Sequence, residues 1–443
     1  MARAIPEPER HITHGRVFRI AFPIVLSNAT VPILGAVDTG VVGQLGDPVP
    51  IGAVGVGAIV LTAIYWIFGF LRMGTTGLTS QAHGAGRTGE VAALLTRALM
   101  IGLSAGICLV ALQIWIFAGA FLVSPASAEV ESMARAYMQI RIWSAPAVIA
   151  LYGITGWLVA LERTRAVLVL QIWMNGLNIV LDLWFVLGLG WGVEGVAFAT
   201  FLAEWSGLAL GFWLCRDAFR VPAWRDWTRV FDAVALRNMA QVNFDILLRS
   251  LMLEVIFVSF LLLGGRFDDV TLAANQVLLQ FLNITAYAMD GFAFTAEALV
   301  GQAMGARSVT RLRRGALLAT HWALGTNVVL AAAFALAGGL LIDVMTTAPM
   351  VREAARDYLP YMVAAPVLGV GAWMLDGIFI GATRSGDMRN MMVLSLAAYI
   401  VAALILVPWL GNHGLWLALL VSFVARGVTL GLRYPALERA AQA

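Results

Sequence analysis

Twelve apolar runs, each about as long as a bilayer is thick, leave this 443-residue chain few folds to choose from. They lie near 17–42, 50–80, 91–119, 133–160, 166–188, 193–214, 236–263, 271–303, 312–341, 355–382, 389–408 and 413–432. A run of about 20 apolar residues crosses the hydrocarbon as a helix, because lipid offers no partner to an open backbone N–H or C=O. The expected fold class is therefore all-α and integral to the membrane, with twelve transmembrane helices. Composition agrees: 12% of the residues are charged, against about a quarter in a soluble domain. A net charge of +3 gives no reason to expect nucleic acid as a partner. Cys108 and Cys215 lie far apart in apolar segments, with neither a disulfide framework nor a metal motif around them. The N-terminus lacks the short apolar core of a signal peptide, so the first helix is expected to stay in the mature protein.

The chain also repeats itself. Gln81-Ala-His-Gly-Ala-Gly-Arg87 returns as Gln302-Ala-Met-Gly-Ala-Arg307, 221 residues on, which is half the chain length. At the same offset Tyr137 falls on Tyr358, Gly156 on Gly377 and Arg163 on Arg384. Six helices per half return the chain to its starting side. The repeat is thus parallel, and the two bundles are expected to be related by a pseudo-two-fold axis along the membrane normal. The domains expected are an N-lobe at 1–215, a cytoplasmic inter-lobe loop at 216–235 and a C-lobe at 236–443.

Arginine placement sets the orientation. All 29 basic residues are Arg. With the N-terminus in the cytoplasm, 22 fall on inner loops, termini and adjoining helix ends, and 5, Arg141 among them, on the outer side. Arg72 and Arg249 fall inside spans. This positive-inside bias places both termini in the cytoplasm of a multi-pass protein of a bacterial inner membrane.

Ionisable groups inside a span cost at least about 2.5 kcal/mol each, so each needs a reason. Asn178 and Asp182 stand four apart and share one face of the fifth helix. That helix enters from the cytoplasm, so Asp182 lies roughly 24 Å up. Asp38 on the first helix lies at a similar height, and Thr200 on the sixth lies roughly 10 Å below the outer surface. Two carboxylates close together in a poorly hydrated cavity cannot easily both ionise, which makes a proton site. With amide and hydroxyl oxygens beside them, the same four residues could hold Na⁺ instead. The second half offers Glu254, Asp290 and Asp376 as a possible alternative cation site. Asp245 and Arg249, four apart, are expected to form a structural ion pair, and Glu297 to snorkel from a helix end. Pro23, beneath Asp38, removes a backbone hydrogen bond and marks a point where the first helix can bend.

Other classes find less support. Gly102-Leu-Ser-Ala-Gly106 fits the G-x-S-x-G pattern, and His321 lies within a span, as an intramembrane serine protease would need. The strand–turn–helix context of a nucleophile elbow is missing, however, and small residues at this spacing commonly mark helix contacts. Walker A and selectivity-filter patterns are both missing from the sequence, which gives no support to an ATP-driven pump or a channel.

At these residues the chain resembles a multidrug and toxic compound extrusion (MATE) transporter, most closely of the DinF branch, over nearly its whole length. The resemblance rests on Ala21-Phe-Pro23 followed by Asp38-Thr39, on Gln81-Ala-His-Gly, on Asn178-Ile-Val-Leu-Asp182, and on Gly190-Trp-Gly-Val-Glu-Gly195 leading to Ala199-Thr200. Ala273-Ala-Asn-Gln276, Asp290-Gly-Phe-Ala293, Leu299-Val-Gly-Gln302 and Gly377-Ile-Phe-Ile-Gly-Ala-Thr-Arg384 extend it. It implies cation-coupled export of organic, mostly cationic and amphipathic compounds. It also implies H⁺ or Na⁺ engaging Asp38, Asn178, Asp182 and Thr200, with Pro23 in the bending helix and Tyr137 as a further lobe residue. Glu254 and Asp376 resemble the C-lobe acidic pair of the NorM branch, so the coupling site is open between the lobes.

The function expected is secondary active multidrug export by alternating access, in the bilayer, by a monomer acting on small organic molecules without a cofactor. A lipid-linked oligosaccharide flippase of the same superfamily is the main alternative. It would need a cationic cavity for its pyrophosphate, where only Arg72 and Arg249 are expected within spans.

Overall fold

The computed structural model of the chain describes residues 11–44, 48–123 and 127–442. Twelve helices in it are long and apolar enough to cross a membrane. They are α1 (His14–Gly43), α2 (Val49–Gly84), α3 (Thr88–Ala111), α4 (Ala128–Ala160), α5 (Thr164–Gly188) and α6 (Gly192–Leu214) in the first half. The second half has α7 (Ala233–Gly264), α8 (Asp269–Gly305), α9 (Val309–Met345), α10 (Pro349–Gly381), α11 (Ser385–Leu410) and α12 (Asn412–Ala440). Among the described residues there is no strand. The all-helical fold and its count of spans thus follow the apolar runs. One span is shorter than expected: α3 stops at Ala111, and a separate apolar helix, Gln113–Val123, takes up the rest of that run.

Contacts gather the helices into two units. Among the described residues, the first comprises those of 26–79 and 87–236; the second comprises 11–25, 80–86 and 237–442. The first unit closes around Leu61, Tyr65, Phe117, Tyr137, Met138, Ile142, Val186 and Val196. The second closes around a larger aromatic core in which Phe260 meets Trp416 and Phe281 meets Phe334, both edge to face. Buried aromatic edges of this kind add to the packing beyond their buried area.

Helix α1 belongs to both units. Its lower part is anchored in the second, where the Arg314 Nε donates to Ile12 O at 2.6 Å and Trp322 Nε1 donates to His14 Nδ1 at 3.2 Å. Arg16 Nη2 also donates to Gln302 Oε1 there, at 3.3 Å. Its upper part joins the first unit, where Asn175 Nδ2 donates to Thr30 Oγ1 at 2.7 Å. Pro23 is buried just before the change from one unit to the other.

The repeat is visible in backbone geometry. Gly86 (φ 70°) and Arg307 (φ 51°) are left-handed and 221 residues apart, as are Glu162 (φ 58°) and Thr383 (φ 51°). Each of the latter pair ends a helix with the same turn, in which Arg163 N donates to Leu158 O (2.8 Å) and Arg384 N to Phe379 O (3.0 Å). In the second unit the two Gln-Ala-x-Gly turns meet reciprocally. A Cβ on Gly84 would strike the Gln302 carbonyl, and one on Gly305 would strike that of Gln81. These shared residues serve helix ends and close backbone approach, which explains their recurrence without any chemistry.

The 216–235 segment is docked rather than free. It folds as short turns at Ala218–Arg220 and Pro222–Arg225 and a helical turn at Trp227–Val230. The buried Arg97 of α3 ties it down: Nε donates to Val230 O (2.9 Å), Nη2 to Arg229 O (2.5 Å) and Nη1 to Glu90 (2.5 Å). Thr96 Oγ1 adds a bond to Trp224 O at 2.8 Å.

Candidate cation-coupling site

The first unit brings Asp38, Asn178, Asp182 and Thr200 together. Asp38 comes from α1, Asn178 and Asp182 from one face of α5, and Thr200 from α6. The Asn178 amide is the hub. With its nitrogen toward the acids, it lies 3.2 Å from Asp38 Oδ1 and 3.2 Å from Asp182 Oδ2. Its oxygen then faces Thr200, 3.1 Å from Oγ1 and 3.2 Å from the backbone N. The opposite orientation would press an amide oxygen against two carboxylates and is disfavoured. Asp38 and Asp182 also stand within hydrogen-bonding reach of each other.

Burial gives this cluster its chemistry. Asp182 is wholly inaccessible and Asn178 nearly so, whereas Asp38 is half-buried. The Asp182 Oδ1 atom is buried and receives no hydrogen bond among the described residues. Two carboxyl groups in contact can share one proton. Immediately after Asp182, α5 widens into a π-helical turn over Leu183–Gly188. Such turns are rare within α-helices and frequent at functional sites.

Beside the cluster stands an ion pair that the positions of the charges in the sequence did not reveal. Arg141, expected at an outer helix end, is buried within α4 and pairs with Glu204 of α6. Tyr65 Oη donates to Arg141 O at 2.9 Å, and the buried Tyr137 lies within hydrogen-bonding reach of the Arg141 side chain. Arg141 and Glu204 are also the charged neighbours of Asp38 besides Asp182. Tyr137 and Arg141 are four apart on one helix face. That spacing, within an apolar run, was the available clue. The partner of Arg141 lies 63 residues away on another helix, so the pairing is not visible in the local sequence.

The second half does not assemble its acids in the same way. Glu254 is exposed and Asp290 half-buried near Tyr287, while Asp376 is engaged by Arg249 and lies 3.6 Å from Arg426. The expected Asp245–Arg249 pair does not form. Asp245 instead accepts from Ser385 Oγ (3.0 Å) and Arg389 Nη1 (2.6 Å), and Arg249 turns to Asp376. Both side chains face neighbouring helices, so partners across the interface win over the i,i+4 neighbour. Glu297 is buried rather than snorkelling. Among the described residues, buried arginines within spans number more than the two expected, with Arg16, Arg97, Arg141 and Arg426 added to Arg72 and Arg249.

The G-x-S-x-G segment proves to be a packing face. A Cβ on Gly102 would lie 2.7 Å from Ala150 Cα, and one on Gly106 would strike the Pro146 backbone, so both glycines let α3 approach α4. Ser104 is exposed and its hydroxyl donates to Ile101 O on its own helix at 3.1 Å.

Twelve apolar helices and these motifs define a membrane transporter of the MATE class, and the comparisons agree. The family model described as MatE matches residues 23–184 and again 246–409, one match in each half of the chain. The chain belongs to that family, whose members are transporters and not enzymes. It is 39% identical over 423 residues to DNA damage-inducible protein F of Escherichia coli (strain K12), covering 94% of this chain and 90% of that protein. A probable multidrug resistance protein NorM of Synechococcus sp. is 25% identical, over 90% of this chain and 89% of the relative. The chain is thus nearer to the DinF protein than to this NorM protein, in line with its DinF-branch motifs. A solved outward-facing structure of a multidrug resistance MATE family transporter of the MOP superfamily shares the fold, with a TM-score of 0.87 and 19% identity over 97% of each chain.

Proposed function

We propose that this protein is a secondary active exporter of small organic compounds, driven by inward movement of a cation that binds Asp38 and Asp182. The observation that carries the reading is the convergence of Asp38, Asn178, Asp182 and Thr200 from three helices on one buried point. Either H⁺ or Na⁺ fits the ligand set. Contact between the two carboxyl groups favours the proton, because such a contact is attractive only when one of them carries it.

In this reading a proton entering from outside neutralises the acid pair and weakens its hold on a cationic, amphipathic substrate. It also changes the strain on α1, whose upper part carries Asp38 and whose Pro23 supplies the point of bending. The N-lobe at 1–215 and the C-lobe at 236–443 alternate access between the two sides, and the 216–235 segment joins them in the cytoplasm. The protein works as a monomer in a bacterial inner membrane with both termini inside, in keeping with the arginine bias. One proton moving down 100 mV supplies about 2.3 kcal/mol, and one pH unit adds about 1.4. Together they sustain a gradient of roughly 500-fold for an uncharged substrate; exchange of one proton for one singly charged cation moves no net charge, so there the pH unit alone sustains roughly tenfold.

The flippase reading is weaker. The second unit does bury Arg249 and Arg426, but they are opposed by Asp376. One net positive charge does not balance a pyrophosphate. Efflux of ethidium from proteoliposomes under separately imposed pH and Na⁺ gradients tests the proposal. Wild type should respond to the pH gradient, and Asp38→Asn and Asp182→Asn should not. Undiminished coupling in both variants would overturn the assignment of the site.

A further inference from the structure

We propose that the second unit holds a binding site for a singly charged oxyanion, the carboxylate, sulfonate or phosphate headgroup of an amphiphile, formed by Arg249 and Arg426 around Asp376. The three residues come from three helices, α7, α12 and α10. Arg249 Nη2 donates to Asp376 Oδ2, and Arg426 Nη1 stands 3.6 Å from that same oxygen. Their side chains are 8%, 3% and 8% exposed for Arg249, Arg426 and Asp376. Two guanidinium groups against one carboxylate leave one positive charge buried among apolar helices. Among the described residues, the ion pairs of both Arg249 and Arg426 are with Asp376, so one carboxylate faces two guanidinium groups.

Hydrogen bonding carries the same imbalance. Arg249 Nε, Arg426 Nε and Arg426 Nη1 are buried donors without a hydrogen-bond partner among the described residues. A guanidinium presents its N–H groups as a planar fork, matched to two oxygens of one oxyanion. An anion received there would cancel the excess charge and fill the open donors together. A cation would be repelled, so Asp376 is poorly placed to hold H⁺ or Na⁺ for coupling. Apolar rings border the site. The Phe423 ring lies 6.0 Å from the Arg426 guanidinium and packs at 5.6 Å against Trp373.

This site lies on different helices from the Asp38–Asp182 cluster, and its test uses no ion gradient, so the two proposals fail independently. The measurement is equilibrium binding of radiolabelled dodecanesulfonate to the full chain in phosphatidylcholine nanodiscs, with empty nanodiscs subtracted. Saturable binding is expected in wild type. Arg426→Gln should weaken it by about tenfold or more, the worth of a charge-assisted hydrogen bond. Asp376→Asn removes the competing acid and should strengthen it by about tenfold, an outcome that loss of folding does not mimic. Dodecyltrimethylammonium, with the same tail and opposite charge, should not compete. Competition by methanesulfonate would show that the headgroup alone suffices, and its failure that the tail contributes; either upholds the site. Absence of saturable binding would overturn it, as would equal affinity in wild type and both variants, or competition by the cationic amphiphile.

Discussion

Asp38 and Asp182 meet across a single amide, since Asn178 Nδ2 lies 3.2 Å from a carboxylate oxygen of each. An amide nitrogen has two hydrogens and can serve both acids at once. That bridge ties α1 to α5, and a proton gained or lost by either acid changes its strength directly.

Replacing Asn178 should expose this dependence. Asn178→Ala leaves one oxygen of the buried Asp182 and one of the half-buried Asp38 without this donor and is expected to cost about 1–3 kcal/mol of stability. The loss should be larger at pH 8 than at pH 5, because an ionised acid needs the donor more than a protonated one. Thermal unfolding of the purified protein at the two pH values checks this, and equal losses would count against the amide's bridging role.

The Arg141–Glu204 pair makes a sharper prediction. Arg141→Gln strands Glu204 without its counter-charge and should destabilise the first unit by about 3–5 kcal/mol. Adding Glu204→Gln removes the stranded charge and should restore much of that loss. A double-mutant cycle on thermal stability reads the coupling directly. Additive effects would mean that the pair contributes nothing beyond its separate side chains.

Acid should loosen the docked 216–235 segment before it affects the helices. Asp226 caps the Trp227–Val230 turn, accepting from Thr228 Oγ1 at 2.6 Å and Arg229 N at 3.4 Å, and these bonds hold its carboxyl below the usual carboxylate range. A carboxyl lowered by folding stabilises above its unfolded value, and that contribution is lost as pH falls through the folded value. Hydrogen exchange at residues 228–230, corrected for intrinsic rate, should quicken at acid pH in wild type. In Asp226→Asn it should be fast already and flat with pH.

What the chain disclosed and what it hid divide along a physical line. Apolar runs predict spans because lipid imposes a local rule, and the i,i+4 spacing of Asn178 and Asp182 puts both on one face by helix geometry alone. Depth along each helix was enough to add Asp38 and Thr200. Partners chosen across helix interfaces were not legible. Arg141 found Glu204, Arg249 left Asp245 for Asp376, and Asp245 took Ser385 and Arg389, each over more than 60 residues of sequence. The passage of α1 from one unit to the other at Val25 and Leu26 depends on packing as well, and only Pro23 hinted at it.

The central claim, that Asp38 and Asp182 exchange a proton for substrate, is tested most directly by proton release on substrate binding. Purified protein in weakly buffered detergent at pH 7, mixed with saturating ethidium, would be followed with a pH-sensitive dye. Wild type is predicted to release about one proton per molecule, and Asp38→Asn and Asp182→Asn to bind ethidium while releasing none. Equal release from wild type and both variants would contradict the account.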